Sequence, residues 1–98
     1  METNCKVILK SKVKNSMVNN LMNFLEENLP NVRGFNGCLS VKILFNKEAN
    51  EMVFYEEWLS KSHHTDYIAF ISNNGIMAKL TAFLIEAPEV KYYQKLII

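Results

Sequence analysis

A chain of 98 residues, 49% hydrophobic and 21% charged, is one domain by size with enough apolar side chains for one core. That excludes a second folded unit and an intrinsically disordered chain, so residues 1–98 are read as a single domain. Eleven Lys and Arg against ten Asp and Glu leave a net charge of +1, without the basic excess of a nucleic-acid-binding surface. No apolar run reaches membrane-spanning length, and the polar start Met1-Glu2-Thr3-Asn4 is unlike a signal peptide. Cys5 and Cys38 have neither metal-ligand nor redox spacing, which predicts a cytoplasmic protein whose thiols stay reduced as small core residues.

From Cys5 to Val13 the residues alternate, with Cys5, Val7, Leu9, Ser11 and Val13 on one face and Lys6, Ile8, Lys10 and Lys12 on the other. That two-residue period predicts a strand, and the lysines read as its solvated edge. Asn15 or Ser16 is a candidate helix cap; Met17, Leu21, Phe24 or Leu25, and Leu29 follow at helical spacing, and Pro30 and Gly34 mark the end. A second strand is expected from Cys38 to Phe45, with Leu39, Val41, Ile43 and Phe45 on one face. The polar stretch 46–50 reads as a hairpin turn. The third strand, Glu51 to Trp58, puts Met52, Phe54, Glu56 and Trp58 on one face. Ser60 is positioned to cap a helix carrying His64, Tyr67, Ile68 and Ile71 on one side, stopped at Asn73-Asn74-Gly75. A short helix over 76–84, ended by Pro88, and a last strand from Val90 to Ile98 complete the chain.

The order β-α-β-β-α-α-β predicts an α+β, ferredoxin-like subunit: an antiparallel sheet with helices on one face. The other face should then be polar, yet Leu44, Val53 and Tyr55 fall on it and the last strand is apolar on both sides. At about 25 cal/mol per Å² of apolar area, leaving such a face in water forfeits several kcal/mol. A second copy of the sheet is the simplest cover, so a homodimer is expected, with Leu96-Ile97-Ile98 docked rather than frayed. The alternative is a strand tip buried within its own subunit.

The run Gly37-Cys38-Leu39, the stretch Tyr55-Glu56-Glu57-Trp58-Leu59-Ser60-Lys61 with His64 and Tyr67 after it, and the ending Ala87-Pro88-Glu89-Val90-Lys91-Tyr92-Tyr93 together resemble the antibiotic biosynthesis monooxygenase (ABM) family, in its quinol-monooxygenase-like branch. The resemblance covers nearly the whole chain. It implies a dimeric α/β barrel formed by two ferredoxin-like subunits. It also implies oxidation of a quinol, phenol or polyketide-like aromatic by molecular oxygen, with no cofactor. The sequence departs from the family where many members carry a histidine on the helix after the Glu-x-Trp strand. Tyr67 takes that place and His64 lies one turn earlier. The asparagine and histidine of the haem-degrading sister branch have no counterparts, which argues against that chemistry.

No dinucleotide fingerprint, P-loop or Ser-His-Asp pattern is present, and adjacent His63 and His64 cannot face one metal from a helix. Oxygen chemistry without a cofactor requires the substrate to supply the electrons, as a phenolate does. The protein must bind a flat ring, take a proton, exclude water and stabilise an anion. Glu56 and Trp58 share a strand face that the next helix can cover with His64 and Tyr67. The expected catalytic set is therefore His64 as base, Glu56 orienting it, and Trp58. Trp58, Tyr67 and Asn36, the last in the loop before the second strand, are expected to bind the small aromatic substrate. Each has a plainer role: Trp58 and Tyr67 as core packing, Glu56 as a structural partner, and His63 and His64 as surface residues. The competing reading is a non-catalytic dimeric barrel that binds a small molecule.

Overall fold

A computed structural model describes residues 4–98, so the first three residues of the polar start lie outside the described residues. Strand β1 (Cys5–Lys12) leads through a 3-10 turn (Asn15–Met17) into helix α1 (Val18–Arg33). Strands β2 (Cys38–Asn46) and β3 (Glu51–Trp58) form a hairpin. Helices α2 (Lys61–Asn73) and α3 (Ile76–Thr81) then return the chain to strand β4 (Glu89–Gln94). The sheet is antiparallel in the order β2-β3-β1-β4, the ferredoxin-like α+β arrangement expected from the element order. Among the described residues, no helix is long and apolar enough to cross a membrane.

The two-residue period places the core. Cys5, Val7, Leu9 and Ser11 of β1 and Met52, Phe54, Glu56 and Trp58 of β3 are all buried beneath the helices. Leu21 and Val32 of α1 and Ile71 of α2 close over them. Both cysteines remain thiols, Cys5 buried and Cys38 partly so. The lysines were expected on a sheet edge, but β1 is a central strand. Lys6, Lys10 and Lys12 stand on its open face, where Lys6 Nζ meets Glu57 Oε2 at 2.6 Å.

Other boundaries shift for local reasons. Neither Asn15 nor Ser16 caps α1, because the 3-10 turn intervenes and no side chain accepts a bond at the helix start. Pro30 lies inside α1, near enough to its end that the missing N–H removes little; the helix stops at Gly34, whose N–H reaches Pro30 O at 3.0 Å. The β2 register breaks between Cys38 and Ser40, so Leu39 turns outward instead of joining Val41 and Ile43. Helix α3 ends at Thr81, earlier than its apolar pattern suggests. Strand β4 ends at Gln94, and within one chain Leu96, Ile97 and Ile98 are exposed rather than docked.

Candidate active site

Register places the polar groups. Val41 of β2, Glu56 of β3, Val7 of β1 and Tyr92 of β4 form one row across the sheet, on the face beneath the helices. Glu56 and Tyr92 are two strands apart, roughly 9–10 Å at the usual spacing, and the small Val7 lies between them. His64 bridges the gap from above. Its Nδ1 is 2.8 Å from Tyr92 Oη, and its Nε2 is 3.7 Å from Glu56 Oε1.

The ring reaches this place because α2 starts immediately after β3. Ser60 caps the helix, its Oγ accepting from His63 N at 3.2 Å, so the first turn hangs over the end of the strand. His63 is not a free surface residue: its Nδ1 is 2.7 Å from Ser60 Oγ. Its ring lies against Gly37, where a Cβ would come within 2.3 Å of Cδ2.

The electrostatics follow from burial. Glu56 is 6% exposed, and among the described residues its carboxyl group accepts one short hydrogen bond, from Trp58 Nε1 to Oε1 at 2.8 Å. One such bond contributes about 1.5–3 kcal/mol, less than the several kcal/mol lost on removing a carboxylate from water. The carboxyl pKa is accordingly raised by desolvation, with the Trp58 bond offsetting only part. His64 is 1% exposed, and burial lowers its pKa to about 4, so the ring is neutral at pH 7. Burial, with the charges of Glu56 and Cys38, pushes the Tyr67 phenol up to about 12. His64 Nε2 has no hydrogen-bond partner among the described residues.

Glu56, His64 and Tyr67 line a cavity of about 70 Å³ between the sheet and α1–α3, whose other walls include Leu9, Phe24, Phe54 and Met77. Trp58 does not line it. The indole is fully buried, 5.3 Å from the His64 ring centroid and 5.5 Å from that of Tyr67, with Phe35 on its edge. It braces the site from behind and orients Glu56. Asn36 is exposed in the turn before β2 and does not line the cavity. The structure therefore brings together Glu56, His64 and Tyr67, places Trp58 behind them, and leaves Asn36 apart. Sequence reasoning did not single out Tyr92 or Val7. Their place beside Glu56 depends on the order of four strands, which no local spacing encodes. Among the described residues, no three His, Cys, Asp or Glu side chains form a metal-ligand set.

The fold and this cavity define a ferredoxin-like subunit with a small, largely apolar space between sheet and helices, lined by a carboxyl group and an imidazole. Solved structures share that architecture. A conserved protein from Methanosarcina mazei Go1 is similar at TM-score 0.84 and 21% identity, over 95% of this chain and 93% of that one. A Bordetella bronchiseptica protein, provisionally assigned as an antibiotic biosynthesis monooxygenase, matches at TM-score 0.85 and 16% identity, over 98% and 100%. A monooxygenase from Streptomyces coelicolor, in complex with the ligand Nanaomycin D, matches at TM-score 0.80 and 14% identity, over 98% and 90%. No protein-family model and no curated protein matches the chain. The chain thus has the fold of the antibiotic biosynthesis monooxygenases; at these identities the likeness carries the fold and not the reaction.

Proposed function

We propose that the cavity binds a small electron-rich phenol or hydroquinone and that Glu56 removes its hydroxyl proton, so that the phenolate reacts directly with molecular oxygen. For a hydroquinone, one oxygen atom enters the ring to give a hydroxyquinone, and the other leaves as water. The observation that carries this reading is a buried carboxyl group and an unpartnered imidazole nitrogen on the wall of one apolar cavity. Burial makes Glu56 a stronger base than an ordinary carboxylate and His64 a weaker one than an ordinary imidazole. The proton acceptor in this proposal is therefore Glu56. The fold shared with monooxygenase structures supports the same reading. A cytoplasmic dimer, its barrel closed by the open faces of two sheets, is part of the proposal.

Cavity size limits the ligand. An apolar cavity of about 150 Å³ can hold benzene, and here about 70 Å³ is present. A single-ring phenol is a closer match to a space of this size than a fused-ring polyketide. That restriction, with the complete burial of Trp58, favours as second reading a barrel that binds a small molecule without transforming it.

Oxygen uptake by the purified protein, measured with hydroquinone, methylhydroquinone and catechol beside Glu56→Gln and His64→Gln, tests the two. Uptake above the spontaneous rate, lost in Glu56→Gln, supports the oxygenase. Saturable binding by NMR titration with no added uptake assigns the binding protein.

A further inference from the structure

His64 is a buried ring with one neighbour at each nitrogen. Tyr92 Oη is within hydrogen-bond distance of Nδ1, whereas Glu56 Oε1 is too far from Nε2 for a bond. The neutral ring carries one proton, so two arrangements exist. With the proton on Nδ1, that nitrogen donates to Tyr92 and a bare Nε2 lone pair faces the carboxylate, which repels it. With the proton on Nε2, Tyr92 O–H donates to Nδ1 and the Nε2–H dipole points toward Glu56 and the cavity, which is attractive. With Glu56 ionised, as a proton acceptor must be, electrostatics selects the second. A buried N–H without an acceptor is unfavourable, and the cavity offers the place where an acceptor can sit.

We propose that Tyr92 is a positioning residue that holds His64 as a neutral N–H donor, and that this donor binds the phenolate oxygen of the ligand. The inference rests on the reading of the cavity as a phenol site and changes the part His64 plays in it. Glu56 takes the phenol proton. His64 Nε2–H then donates a hydrogen bond to the resulting oxyanion. Molecular oxygen, the oxidant, bonds to a ring carbon as a peroxide; the O–O bond and that carbon's C–H bond then break to leave the hydroxyquinone, and the departing oxygen leaves as water carrying the phenol proton held by Glu56 and the proton released from the ring carbon. A neutral imidazole suits this role because it stabilises an anion without competing for the proton.

Tyr92 can hold the ring because it is itself held. It is paired in β4 opposite Val7, and the Lys61 ammonium lies 4.7 Å from its ring centroid. The titratable groups around the assembly are Glu56 from β3, Tyr92 from β4, Lys61 and Tyr67 from α2, Cys5 from β1 and Cys38 from β2. Lys61 is the cation among them, and it stands over Tyr92.

Two measurements test the proposal, and the first needs no turnover. Nitrogen-15 NMR of the His64 ring at pH 7 should show Nε2 protonated and Nδ1 bare and hydrogen-bonded. The Nδ1 resonance should shift toward that of a free acceptor in Tyr92→Phe. A proton on Nδ1, or a His64 ring unchanged in Tyr92→Phe, overturns the proposal whether or not the protein oxidises anything. The second measurement is spectrophotometric titration with 4-nitrophenol, whose phenolate is yellow, beside binding of 4-nitroanisole, which cannot ionise. Tyr92→Phe and His64→Gln should each weaken phenolate binding about tenfold and leave anisole binding unchanged. Equal losses for both ligands reduce Tyr92 to packing and overturn it. Failure of the wild-type protein to bind either ligand removes the phenol-site reading and the ligand half of this inference, while the NMR result still decides the tautomer.

Discussion

Glu56 and His64 share one buried site and are displaced in opposite directions by the same cause, because burial disfavours the charged form of each. For His64 the folded pKa of about 4 lies below the ordinary 6.5. Its contribution to stability is therefore complete above pH 6.5 and is lost as pH falls toward 4. At 1.36 kcal/mol per pKa unit the full loss is roughly 3 kcal/mol. Glu56 has the opposite sign, favouring the fold at low pH and losing that contribution as pH rises through its raised pKa. Urea unfolding at pH 7.5 and pH 4.5 should show a smaller acid-side loss for His64→Gln than for the wild type; equal losses would place the imidazole in water. If Glu56 is the base, as proposed, the acid limb of oxygen uptake should follow its carboxyl. It should survive in whatever activity His64→Gln retains, and its disappearance there would return the base to His64. Gly37 makes a separate point. At φ +90° with the His63 ring against it, Gly37→Ala must absorb both a strained backbone and a close contact. A loss of about 1–3 kcal/mol is expected from the backbone alone. The double variant with His63→Ala should recover only the contact part, as read by urea midpoints.

Among the elements, α2 determines whether the site exists. Its first turn must start where β3 ends, and Ser60 does this by capping the helix while its Oγ also meets the His63 ring. Ser60→Ala should cost about 1 kcal/mol of stability, the usual value of a lost cap. It should also disturb the NMR signals of His64 more than those of α1. A cost near zero with unchanged His64 signals would mean that packing of Tyr67 and Ile71 places the helix unaided. The hairpin turn shows the same local logic. Asn50 adopts φ 52°, and its Nδ2 donates to Val13 O at 2.6 Å, tying the turn to the end of β1.

At the scale of the whole molecule, the open sheet face is mixed. Leu44, Tyr55 and Tyr93 are 54%, 40% and 46% exposed, among lysines and glutamates that include the Lys6–Glu57 pair. A second sheet laid over it would bury these apolar groups. Light scattering after size exclusion should give twice the 11.4 kDa chain mass. Leu44→Glu with Tyr55→Glu should move the protein toward monomer. A wild-type monomer would mean that the face is solvated as it stands and that the barrel does not form.

The two-residue and helical periods already carried the element order, the buried faces of β1 and β3, the Ser60 cap and the Gly75 stop. Each of these depends on interactions between residues close in the chain. The shared face of Glu56 and Trp58 was legible for the same reason, since residues two apart on a strand point the same way, but the hydrogen bond between them was not. Long-range packing decided the rest. The sheet order made β1 central, so its lysines stand on an open face rather than an edge, and it set Tyr92 in the row of Glu56, within reach of His64. A register break moved Leu39 outward, and burial, which depends on the whole fold, lowered the pKa of His64 and raised that of Glu56. Local pattern chooses elements because its energies come from neighbours in sequence. The chemistry of this cavity depends on desolvation and cross-strand geometry, which exist only once the sheet has formed and the helices have covered it.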